Sequence, residues 1–161
     1  MAAPGTLGVL GSHPGFGAGV TIAGLVGPYA AVVAALNWFV LPGVRIPSWS
    51  VVYAAGGGLV GAGVACVLVA YWQLLRAQAR GELCRRGLFG LVRHPMYAGW
   101  IWLIVPGSAL LLRLPLVLSV SPVMAAVTLW SLPAEEEELH TAFGSAYDSY
   151  RDSVNALVPT F

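Results

Sequence analysis

The chain has 161 residues, 58% of them hydrophobic and only 9% charged, with a mean hydropathy of +0.78. A soluble domain carries about 25% charged residues, so this chain cannot clothe a water-soluble fold and reads as an integral membrane protein. Its formal net charge of +1 is too small for nucleic-acid binding, which draws affinity from many phosphate contacts. Cys66 lies in an apolar run and Cys84 in a basic loop, which gives neither a disulfide framework nor the ligand spacing of a metal site.

In chain order, MAAPGTLGVLGSHPGF (residues 1–16) is rich in Gly and Pro and has no basic segment ahead of an apolar core, so it reads as a loose or interfacial start rather than a secretory signal. Four apolar segments follow, at about residues 17–41, 51–75, 96–112 and 116–132, each near the roughly 20 residues that a helical span requires. The expected fold is all-α, a polytopic membrane helix bundle of about four spans. Residues 1–161 form one membrane domain. The tight Arg113-Leu114-Pro115 link makes the last two spans a helical hairpin, and Pro133 ends the fourth span ahead of a polar tail.

Arg76, Arg80, Arg85, Arg86 and Arg93 all fall between spans two and three, whereas Arg45 and Arg113 stand alone in the other loops. Cytoplasmic loops hold the excess of Arg and Lys, so the arginine loop and both termini are expected in the cytosol, with the chain in an inner or plasma membrane. Trp38, Trp49, Tyr71, Trp72, Trp100 and Trp130 suit interfacial belts or, equally, core positions. In span two, Gly57 and Gly61 have the small-xxx-small spacing that lets helices approach closely. They serve either an internal contact or a homodimer seam, and the internal contact is favoured because the chain must first pack its own helices.

Ionisable groups near a bilayer are costly and count as functional candidates. Arg93-His94-Pro95-Met96-Tyr97 opens span three, with Pro95 suited to a first helical turn and His94 pushed toward extended backbone. An imidazole, a phenol and free backbone N–H groups then converge on one interfacial spot; the plainer alternative is an interfacial helix cap with a snorkelling arginine. Glu135 to Glu138 follow Pro133, where the macrodipole of a new helix would favour them. Leu139, Phe143, Tyr147, Tyr150 and Val154 then form one helical stripe, which reads as an amphipathic interfacial tail helix. Folded back over the arginine loop, that tail brings the glutamates toward His94 and Tyr97.

GLFGLVRHPMYAGW (87–100), followed after a hairpin-length apolar stretch by EEEELHTAFGSAYDSYRDSVNALVP (135–159), resembles the isoprenylcysteine carboxyl methyltransferases and related bacterial membrane methyltransferases, phospholipid methyltransferases among them. The resemblance implies that 87–159 is the cofactor-binding core and that the cofactor is S-adenosylmethionine; from the cysteine spacing no metal is expected. The resemblance places cofactor contacts on Phe89, His94, Pro95, Met96, Tyr97, Glu135 and Glu136, with a further stretch at 81–84, and makes Arg93, His94 and Tyr97 positioning candidates. The implied acceptor is a lipophilic or prenylated molecule reached from the membrane lipids. Where the eukaryotic enzymes have a substrate-binding arginine four residues before the matched glutamate, this chain has Ser131, which argues against a prenylcysteine carboxylate. Phospholipid N-methylation, or a non-catalytic small membrane subunit, stand as the alternatives.

Overall fold

The computed structural model describes residues 15–40 and 49–159. The residues read as a loose start and the link LPGVRIPS lie, but for the first turn of the first helix, outside that range. Helix α1 spans Gly15–Val40 and α2 spans Trp49–Arg80. A loop with a 3-10 turn at Gly87–Gly90 leads to α3 (Pro95–Gly99), which passes through a π-helical turn (Trp100–Ile104) into α4 (Val105–Leu112). After a 3-10 turn at Pro115–Ser119 come α5 (Val120–Phe143) and α6 (Ser145–Ser153). Four stretches, Gly19–Val40, Ser50–Arg80, Pro95–Leu112 and Pro115–Phe143, are long and apolar enough to cross a membrane. The all-α, four-span membrane architecture read from the sequence is therefore the architecture observed.

In a bilayer, apolar side chains gain little by leaving lipid for a neighbouring helix, so close packing and small residues drive association. Helix α2 packs along the α3–π–α4 arm, and α1 packs along α5. The α2 seam rests on two reciprocal glycine contacts. A Cβ on Gly56 would lie 3.0 Å from the Gly107 carbonyl and one on Gly107 2.8 Å from that of Gly56, while a Cβ on Gly63 would lie 3.2 Å from the Gly99 carbonyl. Gly57 and Gly61 meet nothing within 4 Å. The internal contact expected of that pair is made instead by Gly56 and Gly63, one heptad apart on a different face of the helix. On the other side of the bundle, Ile22 and Val26 of α1 join Ile101, Val120, Met124 and Leu157 in one buried cluster. Tyr29 bonds Ser119 at 3.0 Å, and the Leu116 amide donates to Asn37 Oδ1 at 3.0 Å, which ties α1 to the hairpin bend.

Several boundaries depart from expectation. Arg76 and Arg80 lie on the last turns of α2 rather than in a loop. Pro133 does not end span four: α5 continues through it to Phe143, because neighbouring groups in a membrane helix absorb the one carbonyl that Pro leaves without a donor. The four glutamates consequently sit within a helix instead of at a helix start. The stripe from Leu139 to Val154 is broken at Gly144 (φ 55°), a left-handed conformation that glycine adopts without steric cost. Val154 is already extended. Trp38, Tyr71, Trp72, Trp100 and Trp130 are all exposed on the outer surface, which removes the core reading for these five.

Candidate active site

Local chemistry shapes the segment before span three. Gly87 (φ 66°) brings the loop so close to α2 that a Cβ there would sit 2.4 Å from the Gln73 amide nitrogen, and the Leu88 N–H donates to Gln73 Oε1 at 3.1 Å. Pro95 occupies the first turn of α3, and His94 before it has φ −123° and ψ 67°, outside the α region that a following proline disfavours but short of the extended backbone expected from the sequence. The tail then pairs with this segment: the Arg93 N–H donates to the Asn155 carbonyl (2.8 Å) and the His94 N–H to that of Ala156 (3.0 Å). Trp102 Nε1 donates to the Leu157 carbonyl at 3.0 Å. A hydrogen-bonded strap thus holds the C-terminal segment across the start of span three.

Arg93 is the hinge pin of the site. Its Nη2 and Nε donate to Glu136 Oε1 at 2.7 and 3.1 Å, and its Nη1 donates to the carbonyls of Arg151 and Val154. One guanidinium therefore joins α5, α6 and the strap. His94 is buried, with Nδ1 3.8 Å from Glu135 Oε1 and Nε2 3.6 Å from Glu136 Oε1. These distances are beyond an ordinary hydrogen bond. The His94 and Tyr97 rings stack with centroids 5.9 Å apart and planes at 26°.

Three buried polar atoms in this cluster lack a hydrogen-bond partner among the described residues: His94 Nε2, Glu135 Oε2 and the Tyr147 hydroxyl. Buried polar groups are normally satisfied, so these atoms have hydrogen-bonding capacity left for a polar ligand. Tyr147 is 1% exposed, and burial, reinforced by the negative charge of Glu136, pushes its phenol up to about 12. It stays protonated and can donate. Its neighbour Tyr150, packed edge-on with centroids 6.2 Å apart, donates to the Phe89 carbonyl at 2.6 Å.

The structure thus brings together Arg93, His94, Tyr97, Glu135 and Glu136. Phe89 is buried and meets the tail through its carbonyl, and Pro95 faces the apolar cavity described below. Met96 is half-buried on the first turn of α3. Glu137 and Glu138 point to solvent. Sequence reasoning missed Tyr147 as a member of this cluster and Gln73 as a support for the loop: the tail spacing gave Tyr147 a place on an apolar stripe, and no local signal showed that this stripe turns inward. Ser131 donates to the carbonyls of Val127 and Thr128 in its own helix, at 3.0 Å each.

Two cavities flank residues 87–95. One, of about 730 Å³, opens at the arginine-rich end of α2 between that helix, residues 81–87, and the junction of α5 and α6. The other, of about 490 Å³, is walled by apolar residues including Leu88, Val92, Pro95, Trp102 and Leu157. No group of three or more metal-ligating side chains occurs among the described residues.

The isoprenylcysteine carboxyl methyltransferase family model matches residues 61–141, half of the chain, from α2 through the glutamate run. No curated protein and no solved structure matches the chain at a significant level.

Proposed function

The chain belongs to the isoprenylcysteine carboxyl methyltransferase family and is a membrane methyltransferase of that type; on this premise we propose that it moves a methyl group from S-adenosylmethionine to a lipophilic acceptor at the cytosolic face of the membrane. The observation that carries this reading is the set of orphaned buried atoms, His94 Nε2, Glu135 Oε2 and the Tyr147 hydroxyl; Pro95, next in sequence to His94, helps wall the apolar cavity. The donor set fits the cofactor. Its ammonium and ribose diol call for acceptors such as Glu135, its sulfonium is favoured near carboxylates and aromatic faces, and its carboxylate calls for donors such as Tyr147.

When bound, S-adenosylmethionine supplies a methyl carbon already activated by the sulfonium, so the chain needs no nucleophile of its own. Its residues position and exclude water. Arg93 fixes Glu136 and the strap, the stacked His94 and Tyr97 rings wall the site, and the apolar cavity receives the acceptor chain. An acceptor that loses a proton has His94 Nε2 and Glu135 Oε2 at hand to receive it.

Two observations favour an amine-bearing or neutral lipid acceptor over a free carboxylate. The Ser131 hydroxyl is spent on its own helix, and the Arg93 guanidinium is spent on Glu136 and two carbonyls. A buried carboxylate left without a cation is heavily penalised. Arg113 closes the hairpin bend at the opposite end of span three.

Titration calorimetry of the detergent-purified chain with S-adenosylhomocysteine tests the cofactor assignment. Glu135→Gln and His94→Ala should each weaken binding about tenfold or more, as expected for losing a hydrogen bond to a charged group, while Glu138→Gln should bind as wild type. Equal losses at all three would refute specific contacts. A radiolabelled methyl-transfer assay comparing N-acetyl-farnesylcysteine with phosphatidylethanolamine tests the acceptor. Strong methylation of the prenylcysteine, unchanged by Ser131→Ala, would overturn the amine or neutral assignment.

A further inference from the structure

The two cavities meet at one peptide. Gly87 lines the cavity of about 730 Å³, and Leu88, the next residue, lines the apolar one of about 490 Å³. On the methyl-transfer reading these are the two sides of one reaction. The larger cavity is walled by residues 81–84, the stretch that the resemblance gives to the cofactor, and by Ala146, next in sequence to Tyr147. The apolar cavity receives the acceptor chain. Methyl transfer requires the donor carbon and the acceptor atom to lie about 3–3.5 Å apart and in line, so the position of the peptide between the cavities governs how the two partners meet.

Side chains from two helices hold that peptide. The Leu88 N–H donates to Gln73 Oε1 of α2 at 3.1 Å, and the carbonyl of the following Phe89 accepts from the Tyr150 hydroxyl of α6 at 2.6 Å. The Leu88 carbonyl is engaged within its own turn by the amides of Leu91 and Val92, at 3.1 and 3.2 Å. The first N–H groups of a helical turn have no partner inside it, and Gln73 supplies one from another helix. Gly87, at φ 66°, lets the loop press against the same amide group. Gln73 itself lies half-buried within the span Ser50–Arg80 and lines the larger cavity, in a segment where a polar side chain is costly and counts as a functional candidate.

Resting on the methyl-transfer reading above, we propose that Gln73 is a positioning residue: it fixes the Gly87–Leu88 peptide so that donor and acceptor approach in line from the two cavities. It acts through the Leu88 amide and not on the reacting atoms. Leu88 walls the acceptor side, so releasing its amide displaces the acceptor. The Arg93–Glu136 pair and the strap keep their own hydrogen bonds. Loss of Gln73 therefore lowers turnover and leaves donor affinity in place.

The test compares full-length wild type with Gln73→Met, which keeps the length of the side chain but not its acceptor, and with Gln73→Glu, which keeps the acceptor. Amide hydrogen exchange over residues 86–90 in nanodiscs reads the order of the shared wall. Calorimetry with S-adenosylhomocysteine reads the donor side, and radiolabelled transfer from S-adenosylmethionine into a crude membrane lipid extract reads turnover. In Gln73→Met the wall should exchange faster and kcat should fall about ten- to a hundredfold, the scale expected of a small misplacement of reacting partners, with S-adenosylhomocysteine affinity unchanged. Gln73→Glu should restore both the exchange and kcat. Gln73→Asn, which keeps the amide but draws it back by one methylene, should show the same split and takes the place of Gln73→Met if that variant does not fold. An unchanged kcat in both Gln73→Met and Gln73→Asn, donor affinity lost in step with kcat, or no rescue by Gln73→Glu would overturn the proposal and leave the methyl-transfer reading standing. A wild type that binds no S-adenosylhomocysteine, or methylates nothing in the extract, would overturn that reading and the role of Gln73 with it.

Discussion

Arg93 and Glu136 provide a quantitative test of how the site is held. The two side chains are 13% and 15% exposed, with Nη2 and Oε1 2.7 Å apart. Removing one partner of a fully buried pair costs about 3–5 kcal/mol, because the other charge is left unpaired. The residual exposure here reduces that to about 2–3 kcal/mol. Arg93→Met also strips the donor from the carbonyls of Arg151 and Val154, each worth about 0.5–1.5 kcal/mol. We therefore expect Arg93→Met to cost about 3–6 kcal/mol. Glu136→Gln should cost less, about 1–2 kcal/mol, since the amide oxygen still accepts and the guanidinium keeps its carbonyl partners. In the double variant no charge is left unpaired, so the loss should fall short of the sum of the singles by about 1 kcal/mol or more. Reversible unfolding in mixed micelles of increasing dodecyl sulfate content measures all three. Losses that add within about 0.5 kcal/mol would show that the pair is not coupled and that Arg93 acts through the strap alone.

Other consequences follow from the packing. Gly107→Ala places a methyl 2.8 Å from the Gly56 carbonyl and should cost about 1–3 kcal/mol in the same assay, whereas Gly57→Ala and Gly61→Ala, which meet nothing, should be neutral or slightly stabilising. Tyr150→Phe removes the buried donor to the Phe89 carbonyl and should cost about 1–3 kcal/mol, with S-adenosylhomocysteine affinity reporting whether the loosened loop reaches the site. Burial pushes the Cys84 thiol above its ordinary range. Only the thiolate reacts, so maleimide labelling should be slow at neutral pH and accelerate as pH rises. In oriented membranes an impermeant reagent should label Cys84 from the cytosolic side alone, and labelling from the outer side would invert the topology proposed for the site.

Much of the candidate cluster was legible in the sequence because its parts are local. Pro95 dictates the start of α3 and keeps the backbone of His94 out of the α region, and Tyr97 follows within one turn of helix. Glu135 and Glu136 could be singled out only through the spacing they share with related methyltransferases. Helical period alone does not say which two of four adjacent carboxylates turn inward. That choice was made by Arg93, which draws Glu136 inward while Glu137 and Glu138 stay in solvent. The same guanidinium explains why a residue that reads as a snorkelling arginine is instead mostly buried.

Composition and hydropathy alone determined that the chain spans a membrane about four times as helices, because a bilayer tolerates few charges and demands that each segment satisfy its own backbone. Tertiary structure decided what no local pattern encodes. It chose Gly56 and Gly63 over Gly57 and Gly61 for the seam, since both pairs have small residues at helical spacing and only the position of Gly99 and Gly107 on the facing arm distinguishes them. It carried α5 through Pro133, because the cost of one missing N–H depends on neighbours and not on the proline. It also turned Tyr147 inward, because the bend at Gly144 breaks the stripe and leaves Tyr147 and Tyr150 buried in the protein.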